Sequence, residues 1–66
     1  MRNFTQDELK SKENDINEEL EAKGLVTISF LRIEDGKVKF FTNALKGTVS
    51  QKETDSVSAV VVRHLK

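Results

Sequence analysis

Side chains able to do chemistry are few in this 66-residue sequence, and they divide into a run of acids in the first half and a basic, aromatic run after the midpoint. The single histidine, His64, has no cysteine to activate, and no serine sits in a G-x-S-x-G turn. Close to Arg63 and Lys66, it reads as a surface or edge side chain rather than a proton shuttle. Asp15, Glu18, Glu19 and Glu21 bring carboxylates together, as general acid–base catalysis requires. That chemistry also needs a concave apolar surround to raise one carboxylate above its usual range, and these acids sit among polar neighbours. Asp15-x-Asn17-x-Glu19 has the spacing that opens a calcium loop, yet Leu20 stands where such a loop needs glycine. Gly24, Gly36 and Gly47 are isolated, so the sequence holds no phosphate-cradling glycine run. The expectation is a protein that is not an enzyme, with no cofactor, no metal site and no small-molecule substrate.

Two constellations remain, and both concern macromolecular partners. Lys37, Lys39 and Lys46 cluster with Phe40 and Phe41, a mixture in which ammonium groups meet phosphates while a ring stacks on a base of single-stranded nucleic acid. Lysines on the solvent face of an amphipathic strand are the ordinary alternative, and they also discourage edge-to-edge pairing. Leu31, Ile33 and Phe41 form the second set, an apolar group that one amphipathic helix cannot cover and that would serve as a protein-binding surface.

Composition narrows the choice. Lys and Arg number 11, Asp and Glu number 11, so the net charge is zero rather than the strongly basic value typical of nucleic-acid binders. The charge is polarised along the chain: residues 1–35 hold nine acids and five bases, net −4, and residues 36–66 hold two acids and six bases, net +4. Segments of opposite sign lying side by side would neutralise one another. The absence of cysteine excludes a disulfide framework and a thiolate metal site and suggests a reducing, cytoplasmic setting. No run approaches the roughly 20 apolar residues of a membrane span, and the first residues lack the apolar stretch of a signal peptide. At this length the chain is expected to be one small domain over residues 1–66, for which a homodimer or bound partner is a sensible default.

The elements that must position these groups begin with a helix over about residues 5–23. Thr5 and Glu8 fit a capping box, Phe4 and Leu9 fall where a hydrophobic staple closes, and Gly24 sits where a left-handed stop is wanted, with Leu20 and Leu25 at its contact positions. Leu9, Ile16 and Leu20 form a narrow apolar stripe, interrupted by Glu13. A hairpin follows, with strands at about 25–33 and 37–42 joined at Glu34-Asp35-Gly36. A two-residue Asp35-Gly36 loop would set Phe30 opposite Phe41. A three-residue bulged loop would set it opposite Phe40, and that is the expected arrangement. It gathers Val26, Ile28, Phe30, Val38 and Phe40 beneath the helix and turns Leu31, Ile33 and Phe41 to the reverse face.

Residues 43–55 are polar and aperiodic apart from Leu45 and Val49, and are expected to form a mobile loop. The run Val57 to Leu65 can be read two ways. Four valines in six residues favour a third strand over about 56–65, with both faces buried. As a helix over about 51–65, Val57, Val60, Val61 and Leu65 would share one face, and Ser50 with Glu53 would cap it. The expected fold is therefore α+β: an N-terminal helix on a small antiparallel sheet, with a third strand or, alternatively, an α-β-β-α order.

The charged helix, the hairpin carrying Asp35-Gly36, Val38 and Phe40, and a final segment opening Ser56-Val57-Ser58 together resemble small phage head–tail joining proteins of α-β-β-α design. In this chain about a dozen more residues separate hairpin from final segment, and what the resemblance implies is architectural. The function expected from the residues is a small non-enzymatic protein-binding or regulatory module, self-associating or not, using Leu31, Ile33 and Phe41. The alternatives are a single-stranded nucleic-acid binder using Lys37, Lys39, Lys46, Phe40 and Phe41, and a structural subunit of a larger, for example phage-type, assembly.

Overall fold

A computed structural model describes residues 4–44 and 48–66. Along the chain run α1 (Gln6–Ala22), β1 (Ile28–Glu34), β2 (Lys37–Thr42) and α2 (Gln51–Leu65), an α+β arrangement of α-β-β-α order around a two-stranded antiparallel sheet.

The limits of α1 follow from local hydrogen-bond chemistry. The Thr5 hydroxyl accepts from the Glu8 amide at 3.1 Å, while the Thr5 amide donates to Glu8 Oε1 at 3.0 Å, closing the capping box. At the other end Gly24 takes φ +71°, the Leu25 amide donates to the Leu20 carbonyl at 2.8 Å, and the Gly24 amide to that of Glu21 at 3.0 Å. These are the paired bonds of a Schellman stop, and they turn the chain toward β1.

The C-terminal run is helical, so the third strand expected over 56–65 is absent and the α-β-β-α alternative holds. Two magnitudes explain the outcome. Keeping four valines in a helix costs at most about 0.7 kcal/mol each, about 3 kcal/mol together. The helical period places Val57, Val60, Val61 and Leu65 on one face, all buried, and covering them contributes roughly 2 kcal/mol each. A strand would have split them over two faces, and the described residues offer no second layer to cover the other. Ser50 caps α2, accepting from the Glu53 amide at 3.1 Å. Gln51 to Asp55, expected within a mobile loop over 43–55, belong instead to α2, and residues 45–47 of that stretch lie outside the described residues.

The core joins Leu9, Ile16 and Leu20 of α1, Ile28 and Leu31 of β1, and Val57, Val60, Val61 and Leu65 of α2. Strand β2 adds only the partly buried Val38 and Phe40. Near the C-terminal ends of both helices, Glu19 gathers two cations and an imidazole: Lys23 Nζ at 3.0 Å, the Arg63 guanidinium, and His64 Nε2 at 2.9 Å. Positive groups there also oppose the partial negative charge of two helix ends. His64 is thus a half-buried strut between α1 and α2.

Candidate interaction surface on the outer face of the hairpin

The outward edge of β1 is held by side chains of α1, and the segment leading into it by one from α2. Asn17 spans Ile28, its Oδ1 accepting from the Ile28 amide at 2.8 Å and its Nδ2 donating to the Ile28 carbonyl at 3.0 Å. Glu13 Oε1 lies 3.4 Å from the Leu31 amide, so the residue that interrupts the apolar stripe of α1 faces the strand edge. Glu53 reaches from α2, its Oε2 accepting from the Val26 amide at 2.9 Å. Its carboxylate therefore makes a tertiary bond instead of returning to the Ser50 amide in a capping box.

The hairpin turn corrects the expected register. Glu34 pairs with Lys37 across a two-residue loop in which Asp35 (φ +52°) and Gly36 (φ +72°) are both left-handed, the signature of a type I′ turn. The three-residue loop is absent, and the irregularity lies inside β1. Ile33 pairs with Val38, Arg32 with Lys39 and Ser29 with Phe41, so Phe30 and Leu31 together oppose Phe40 in a β-bulge. Phe30 makes that extra residue fit by taking φ +56°, an unusual value for a bulky side chain that costs roughly 1–2 kcal/mol.

The bulge reverses the alternation of β1 halfway along. Ile28 points inward before it, and Leu31 and Ile33 point inward after it. Burying Leu31 completely and Ile33 partly contributes about 3 kcal/mol or more, which outweighs the strained backbone at Phe30. Of the three residues expected to form a protein-binding face, Leu31 is therefore 0% exposed in the core, Ile33 packs against the core, and only Phe41 remains outside. Phe30, expected beneath the helix, has moved to the outer face.

That face carries the exposed aromatic pair. Phe30 is 46% and Phe41 64% exposed, with ring centroids 5.4 Å apart and planes inclined at 35°. The Arg32 guanidinium lies 5.0 Å from the Phe30 centroid and donates to the Leu31 carbonyl at 2.7 Å, so it is fixed over the ring. Lys39 Nζ is 2.9 Å from Glu34 Oε2. A cleft separates Phe30 and Arg32 from Asp7, Lys10 and Glu13 on α1, and its two acids offset its two bases.

The set expected to touch nucleic acid is divided. Lys37, Lys39 and Phe41 share the outer face, Phe40 turns inward against the core, and Lys46 lies outside the described residues. Sequence reasoning missed Phe30 and Arg32, whose place depends on the bulge, and Asn17, which reads as one more polar residue on a polar helix. Among the described residues, no group of three or more His, Cys, Asp or Glu side chains is placed to hold a metal ion, and no helix is long and apolar enough to cross a membrane. No family model, no curated protein and no solved structure matches this chain.

Proposed function

We propose that this chain is a small non-enzymatic protein-binding module of regulatory type that presents the outer face of its hairpin, with Phe30, Arg32 and Phe41 as anchors. One observation carries the reading: Phe30 stands half-exposed on a left-handed backbone, stacked on Phe41 and capped by Arg32. Strained residues concentrate where a side chain must be aimed, and aromatic and arginine side chains dominate the energetics of protein interfaces. A cytoplasmic setting fits a sequence without cysteine.

A photo-crosslinking residue in place of Phe41 should capture protein, this chain or another, identified by mass spectrometry. The same residue in place of Glu18, on the exposed side of α1, should capture none. Equal capture from both positions would overturn the reading.

Single-stranded nucleic acid is the second reading, favoured by Lys37, Lys39 and Phe41 lying on one face. The charge beside Phe30 weighs against it, since Asp7 and Glu13 offset Lys10 and Arg32 and leave no net attraction for phosphates there. Titration of a labelled oligonucleotide at two salt concentrations separates the two: binding that falls steeply with salt would transfer the function to nucleic acid.

A further inference from the structure

We infer that the free edge of β2 pairs with the same edge of a second copy, joining two hairpins into a four-stranded antiparallel sheet. The inference rests on the outer-face reading above, to which it supplies a partner.

The two edges of the hairpin are unlike. The β1 edge is closed by Asn17 and Glu13. Because Ile28 gives both its amide and its carbonyl to Asn17, the Ile28–Thr42 pair is not hydrogen-bonded, and Thr42 turns its own N–H and C=O away from β1. The Asn43 amide donating to the Thr27 carbonyl at 2.9 Å fixes the same phase. Strand β2 has no bulge, so alternation carries this phase to Phe40 and Val38. Three residues thus offer a row of outward donors and acceptors. Helix α1 lies at the opposite edge, where its Asn17 and Glu13 meet β1.

The side chains of β2 choose the partner and the register. With a two-fold axis at Phe40, Phe40 meets Phe40 of the copy and Val38 meets Thr42, each as a hydrogen-bonded pair. On the outer face Lys39 then stands directly opposite Phe41 of the copy, in the closer non-hydrogen-bonded spacing. No two lysines face one another, and Lys39 is already neutralised by Glu34. Sliding two residues one way would set Lys39 against its own copy. Sliding two the other way would carry Val38 beyond the end of β2. The register that avoids both covers Phe41 and continues the aromatic face across the seam. Such a strand is complementary to itself, as an isologous contact requires.

Opposite charges placed at Phe41 provide the test, because Phe41 lies outside the core and either variant should keep the helical circular dichroism of the wild type. Sedimentation of the full chain from micromolar to millimolar concentration should show the wild type approaching twice its 7.5 kDa mass. Phe41→Lys sets two lysine pairs opposite each other and should weaken association by about tenfold or more; Phe41→Glu sets a carboxylate opposite each Lys39 and should preserve or tighten it. In parallel, the Phe40 amide, which faces away from β1, should exchange with solvent more slowly as concentration rises. A wild type that stays monomeric, equal weakening by both variants, or Phe40 exchange independent of concentration would each overturn the pairing. Capture of a different protein by the crosslinker at position 41, with a monomeric wild type, would sink the self-pairing and leave the protein-binding reading standing.

Discussion

Replacing Asn17 with alanine tests how much of the fold depends on one side chain standing in for a missing strand. Its amide makes two bonds to Ile28, at 2.8 and 3.0 Å, in a partly buried position. Net contributions of about 1 kcal/mol per bond, and about 1 kcal/mol more for an orphaned donor and acceptor, give a loss near 3 kcal/mol. Alanine returns about 0.5 kcal/mol in helix propensity. The expected destabilisation is therefore about 2–3 kcal/mol, a drop of roughly 10–20 °C in Tm for a domain of this size. Urea and thermal unfolding followed by circular dichroism measure it directly. Asn17→Asp sharpens the test, because it keeps an acceptor for the Ile28 amide but sets a carboxylate against the Ile28 carbonyl. It should destabilise at least as much as alanine at neutral pH and recover in part below about pH 4, where the protonated acid regains a donor. Stability within about 0.5 kcal/mol of wild type for both variants would refute the edge-holding role of Asn17.

Further expectations concern other parts of the chain. Leu31→Ser should cost at least about 3 kcal/mol in denaturant unfolding, whereas Phe41→Ser should cost well under 1 kcal/mol, because the first side chain is 0% and the second 64% exposed. Gly24→Ala should lower stability by about 1–2 kcal/mol through φ +71° alone, since a Cβ there meets nothing within 4 Å; an unchanged urea midpoint would count against the Schellman stop. Glu19→Gln should cost up to about 1 kcal/mol at low salt, and the difference should shrink in 1 M salt, because its partners are partly exposed ions.

How much of this was legible in the sequence depended on how local each cause was. The caps of α1 were legible because Thr5, Glu8, Gly24 and Leu25 act within a few residues of the backbone groups they satisfy. The state of Val57 to Leu65 was ambiguous because intrinsic preference and burial pattern pointed opposite ways, and burial carried the larger energy. The bulge at Phe30 and Leu31 was not legible. No glycine marks it, and its driving force is room for Leu31 and Ile33 in a core completed by a helix that begins about twenty residues later. With the bulge went the candidate site, since one extra residue exchanged Phe30 for Leu31 on the outer face. Glu13 and Asn17 look like ordinary helix polarity until a strand edge lies beside them.

The bond from Glu53 to the Val26 amide also bears on how the chain comes together. Its two residues are 27 apart in sequence, yet it ties the opening turn of the last helix to the segment that leads into the first strand. Neither end of that tie is complete by itself. With the last helix docked, the lead-in to the hairpin gains a partner for its Val26 amide, so loosening either end of the tie is expected to weaken the other.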